Sequence, residues 1–130
     1  MDDLRTVLED RQYLLFELDG AFVTDKLSFL RQAAVDLPQP PDLVVQNNWD
    51  SLIDSVWWGL ASLDHTRFAI IRTNAQNMLS SLGDLLTALA CLTDVAQSIT
   101  TTEHGFPRPS ELIIFLAGQG ANFPTVDLQV

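Results

Sequence analysis

Gln46-Asn47-Asn48-Trp49-Asp50-Ser51-Leu52-Ile53-Asp54 is the stretch from which the rest of the chain is read. Asn47 or Asn48 supplies the side-chain oxygen that accepts from the open amides of a first helical turn. From there Trp49, Leu52, Ile53, Val56, Trp57 and Leu60 recur at helical spacing and define a buried stripe. Asp50 and Asp54 stand one turn apart, outside that stripe, so both carboxylates face outward. Asp50 has an ordinary use there, since a negative charge in a first turn complements the helix dipole by about 1 kcal/mol. Capping and dipole effects leave Asp54 unexplained. Trp58 falls one further turn along the same outer face, either as an aromatic anchor beside the acids or packed under a terminal arm.

Upstream, Pro38-Gln39-Pro40-Pro41-Asp42 cannot continue a helix and forms a rigid connector. Before it, Thr24 is placed to cap a helix with Asp25 in its first turn and Leu27, Leu30, Ala33, Ala34 and Leu37 inside; Pro38 ends it. Tyr13 to Leu18 is a short apolar run closed by Asp19-Gly20 and reads as a strand. Residues 3–11 carry Leu4, Val7 and Leu8 in a pattern that suits a short amphipathic helix or an ordered arm. Downstream, Phe68 to Ile71 reads as a second strand, Asn74 to Leu79 as a short helix, and residues 82–98 as a core helix. The stripe of that core helix is Leu82, Leu85, Leu86, Leu89, Leu92, Ala96 and Ile99. Glu111 to Leu116 is a third strand, and Gly118-Gln119-Gly120 leads into a tail.

Strands separated by helices argue an α/β domain with a small three-stranded parallel sheet packed by about four helices. At 130 residues, 47% of them hydrophobic, the chain forms one domain with a core. That domain covers residues 1–130, with an N-terminal arm over 1–12 and a C-terminal tail over 118–130. The apolar runs from Leu85 to Leu92 and from Leu112 to Ala117 are too short or interrupted to span a bilayer. Met1-Asp2-Asp3-Leu4 lacks the basic-then-apolar pattern of a signal peptide, so the cytoplasm is the expected location.

Seventeen acidic residues against seven basic ones give a formal charge of -10, which repels nucleic-acid backbones and anionic membranes. The imbalance is also local. No Lys or Arg lies between Arg31 and Arg67, whereas Asp36, Asp42, Asp50, Asp54 and Asp64 all do. Solubility alone accounts for a general acidic surplus. An acidic helix edge without basic neighbours adds a reason to expect a cationic partner.

Cys91, the single cysteine, sits among Leu85, Leu86, Leu89 and Leu92 and reads as a core thiol. His65 and His104 have no ligand spacing to it or to a carboxylate cluster, so no metal, cofactor or small-molecule substrate is expected. Paired carboxylates such as Glu17 with Asp19 can serve as acid and base, but no His, Lys or Ser constellation and no phosphate-binding glycine loop accompanies them. The chain is not read as an enzyme.

Leu18-Asp19-Gly20 after a first strand, a helix ending at Leu37-Pro38, and Asn48-Trp49-Asp50-Ser51-Leu52-Ile53-Asp54 opening the next helix together resemble barstar and its relatives, intracellular inhibitors of secreted ribonucleases. The resemblance runs from about Tyr13 to Leu116. It implies a three-stranded parallel sheet with helices against it, and a nuclease-binding surface made of the signature helix and the loop before it. Carried onto this chain, that surface comprises Val44, Val45, Gln46, Asn47, Asn48, Asp50, Ser51, Asp54 and Trp58, with Asp94 on the late helix as the nearest match to a further acidic contact. The implied partner is a basic ribonuclease or nuclease toxin, whose cationic active site the acids would plug. Where relatives commonly offer aromatic residues and a glycine before the signature, this chain has Val44, Val45 and Gln46. That departure supports an alternative, an interaction module that keeps the fold without nuclease binding.

Overall fold

The computed structural model describes residues 2–39 and 48–118. The elements are α1 (Asp2–Asp10), β1 (Leu14–Asp19), α2 (Lys26–Asp36), α3 (Trp49–Ala61), β2 (Arg67–Thr73), a 3-10 helix (Ala75–Ser81), α4 (Leu82–Ser98) and β3 (Glu111–Leu116). The three strands form one parallel sheet in the order β1-β2-β3, with Leu14 opposite Phe68 and Phe68 opposite Leu112. This is the α/β architecture expected from the alternation of strand and helix patterns.

Strand β2 is central and buried from Phe68 to Arg72, as a parallel strand covered on both faces must be. Alternate side chains separate the two layers. Leu18, Phe68, Ile70 and Leu112 face the main core, where they meet α2, α3 and α4. Ala69 and Ile71 face the other way and pack with Leu4 and Leu8 of α1, flanked by Tyr13, Leu15 and Phe115. Residues 2–10 are therefore a helix that covers the second face of the sheet, its Arg5 paired with Glu17 of β1.

Helix α2 departs from the sequence reading at its start and along its inner face. Its N-cap is Asp25, not Thr24: Ser28 N donates to Asp25 Oδ1 at 3.0 Å, and Asp25 N donates back to the Ser28 hydroxyl at 3.1 Å. A carboxylate three residues before a serine closes this reciprocal box, which Thr24 has no equivalent partner to make. Phe29, Leu30, Ala33 and Leu37 are buried, while Leu27 is exposed and Ala34 half-buried. Phe29 takes the inner position because its ring has both a cation and a neighbouring indole to pack on.

Helix α4 also buries a different seam. Leu85, Ala88, Cys91, Leu92, Val95 and Ile99 are inside, whereas Leu82 and Leu86 are 48% and 56% exposed. A reading by leucines alone overlooks that α4 packs closely on α3, and close approach favours the small Ala88 and Cys91. The short helix expected from Asn74 is 3-10 in form and runs directly into α4. Together they make a 24-residue stretch, Ala75–Ser98, apolar and long enough by composition to cross a membrane, which the separate runs did not suggest. Here its inner seam belongs to the core beside α3 and β3.

Two exposed aspartates at the ends of β1 and the start of α2 tie these loops down. Asp19 accepts from the Asn74 amide at 2.8 Å and from Ala21 N at 3.0 Å, and these bonds, the Asn74 one foremost, hold its pKa below the usual aspartate value. The Ser28 backbone and hydroxyl bonds do the same for Asp25. A carboxyl with a lowered folded pKa binds its proton more readily in the unfolded chain. Its contribution is therefore complete above the unfolded value of about 3.9 and disappears as pH falls through the folded one. Urea midpoints measured below about pH 4 should fall, and Asp19→Asn and Asp25→Asn should each reduce the steepness of that fall.

Candidate functional site

The acidic helix is fixed at both ends. At its start Asn48 is the N-cap, its Oδ1 accepting from Ser51 N at 2.8 Å, while the Ser51 hydroxyl donates to Asn48 O at 2.9 Å. Near its end Gly59 lies against the chain leaving α2: a Cβ built there would stand 2.1 Å from the Pro38 carbonyl oxygen and 2.5 Å from Gln39 N. Between these points Leu52, Val56 and Leu60 are fully buried, with Trp49, Ile53 and Trp57 packed beside them. That burial leaves one orientation for the remaining side chains.

Asp50, Asp54 and Trp58 consequently form an exposed row at intervals of four residues. Trp58 is 53% exposed and meets the edge of Trp57 at 4.9 Å between centroids, and Trp57 in turn stands edge-on to Phe106 at 5.2 Å. Helix α1 packs on the opposite face of the sheet, so Trp58 is not covered by the N-terminal segment. Its indole is braced from one side and open on the other. Asp94 is exposed on α4. The buried Cys91 thiol, raised in pKa first by burial, is raised further by the charges of Asp94 and Asp50. The charges of Asp50 and Asp94 thus act on one thiol from two helices that pack together. Neither α3 nor α4 contains a lysine or arginine.

Of the sequence-derived set, Asn48, Asp50, Ser51, Asp54 and Trp58 stand together on α3 and its cap, and Asp94 is exposed on the neighbouring helix α4. Asn48 and Ser51 are engaged in capping, which leaves the three acids and the indole as the outward groups. Val44, Val45, Gln46 and Asn47 lie outside the described residues. Gly59 was not anticipated; its signal was a lone glycine inside an otherwise apolar helical run. Also unanticipated was the bracing of Trp49, whose ring stands 6.1 Å from that of Phe29 and has the Lys26 ammonium 5.8 Å from its centroid.

The family model described as Barstar (barnase inhibitor) matches residues 13–108. The chain belongs to the barstar family. The match takes in β1 through α4 and therefore the whole of α3, while α1 and β3 lie outside it. No curated protein and no solved structure matches significantly. The family's description is that of an inhibitor of barnase, and the outward row on α3 falls within the matched residues.

Two substitutions test how the helix is held. Asn48→Ala should cost about 1 kcal/mol of folding stability, and Asn48→Asp should restore most of it. Gly59→Ala forces a methyl group into backbone atoms that cannot rotate away and should cost about 3 kcal/mol or more. Equilibrium urea unfolding followed by far-ultraviolet circular dichroism reads both; Gly59→Ala at wild-type stability would contradict the packing described.

Proposed function

We propose that this protein inhibits a basic ribonuclease or nuclease toxin inside the cell that makes it, by seating Asp50 and Asp54 of α3 in the enzyme's cationic active site. The supporting observation is the exposed Asp50-Asp54-Trp58 row on a helix without a cation, within a chain of the barstar family. A ribonuclease active site gathers positive groups to hold phosphate, and carboxylates on a rigid helix occupy those positions without being cleaved. Trp58 then lies against the rim as a wide apolar anchor, and Asp94 adds a charge from the neighbouring helix. The chain acts here as a plug and catalyses nothing. The segment from Val44 to Asn47 precedes the helix and sets which nuclease fits.

Val44, Val45 and Gln46 also favour a second reading, an interaction module that retains the fold and does not inhibit a nuclease. Affinity capture from lysate and medium of the native cell separates the two, with wild type run beside Asp50→Ala/Asp54→Ala and the bound proteins identified by mass. A small basic nuclease held by wild type and lost by the double mutant supports inhibition. An unrelated protein held equally by both supports the module.

Asp54→Ala should leave the unfolding midpoint nearly unchanged and weaken the nuclease complex by about 2 kcal/mol or more, an expectation drawn from interfaces that include the barnase–barstar pair. Titration calorimetry on the captured partner reads the loss. Unchanged affinity would remove Asp54 from the interface.

A further inference from the structure

Two cations occupy positions unfavourable to the fold, and both converge on one aromatic pair. Arg72 ends the buried run of β2 and is 2% exposed, and among the described residues no carboxylate lies within ion-pair distance of it. Its Nη1 donates to Gln32 Oε1 at 2.6 Å, its Nη2 lies 3.5 Å from Met78 Sδ, and its Nε has no acceptor among the described residues. A buried guanidinium in such company costs stability unless something else compensates. Two features offset that cost: the charge of Asp19, which acts on Arg72 from the end of β1, and the Phe29 ring, with its centroid 5.3 Å from the guanidinium carbon. Lys26 is the first residue of α2, where a positive charge opposes the helix dipole. Its side chain is half-buried, with the ammonium 5.8 Å from the centroid of the Trp49 ring.

The four side chains form a continuous series from the middle of the sheet to the first residue of the acidic helix: Arg72, Phe29, Trp49, Lys26. The Phe29 and Trp49 rings meet at an interplanar angle of 50°. The far side of Arg72 is closed by Gly20, where a Cβ would come within 2.8 Å of the guanidinium and 2.6 Å of Thr73 O. With backbone behind it, the cation is held towards the ring.

We propose that Arg72 and Lys26 clamp the Phe29–Trp49 pair from its two ends and thereby fix the direction in which the first turns of α3 present Asp50 and Asp54. They are positioning residues. A binding helix oriented before its partner arrives does not lose that freedom on association, so the clamp favours affinity without touching the partner. This consequence rests on the function proposed above, whereas the clamp itself is a property of the free protein.

Amide hydrogen exchange of the full chain tests it, comparing residues 52–56, whose amides close the first turns of α3, with the amides of β2. Arg72→Met and Lys26→Met each remove a charge while keeping an unbranched chain of similar reach. Each should speed exchange at residues 52–56 by about ten-fold while β2 keeps its protection, and Lys26→Arg should restore the wild-type rate. Exchange at residues 52–56 that stays at the wild-type rate would overturn the clamp, as would an equal acceleration throughout the chain. Should Arg72→Met fail to fold, Lys26→Met and Lys26→Arg decide the matter between them. Because no partner enters the measurement, failure to find a nuclease would sink the proposed function without touching the clamp, and unchanged exchange would do the reverse.

Discussion

The rotation of α3 about its own axis is the constraint on which the remainder depends. Leu52, Val56 and Leu60 reach full burial on one side, Asn48 stops the helix at its start, and Gly59 presses against the Pro38 carbonyl near its end. Any turn of the helix would expose leucine and drive carboxylates toward the core, at a cost far above what surface charges repay. The apolar stripe therefore does more than stabilise. By filling the inner face it obliges Asp50, Asp54 and Trp58 to stand outward together.

Exposed acids contribute little to the free protein. At 4 Å two unit charges interact by about 1 kcal/mol in water and about 4 kcal/mol at the dielectric of a partly dehydrated protein surface. The difference is realised only when a partner covers the pair and excludes water. This is why the absence of lysine and arginine from α3 and α4 matters: neither helix carries a cation of its own to neutralise the carboxylates. A formal charge of -10 also gives the protein a field that favours the approach of cationic surfaces, an effect that salt screens.

Much of this was legible in the sequence, and the remainder was hidden for identifiable reasons. Short apolar runs marked the three strands and helical spacing the order of the helices, and the stripe from Trp49 to Leu60 placed both aspartates on the outer face, where they are exposed. Where a helix has several neighbours the pattern blurred. Helix α2 meets β1, α3 and α4, so its buried arc takes in Phe29 and leaves out Leu27. In α4 the leucines marked a seam that the small Ala88 and Cys91 in fact share, because proximity to α3 selects for size as well as apolarity. Arg72 stands just past the apolar run from Phe68 to Ile71, where a charge is ordinarily exposed. Only the three-dimensional convergence of Asp19, Gly20, Gln32, Met78 and Phe29 makes a buried guanidinium tolerable there, and no local pattern announces it. The surroundings of Val44 to Asn47 lie outside the described residues, so the site is read from α3 and α4.

The central claim is that the acidic face closes a nuclease active site, and not merely that it binds a nuclease. It is tested most directly by RNA cleavage in a purified complex, titrating the captured nuclease with this protein and following hydrolysis of a short RNA. Cleavage should fall linearly and reach zero at one inhibitor per enzyme. A saturated complex that still cleaves RNA at the rate of the free enzyme would contradict the account.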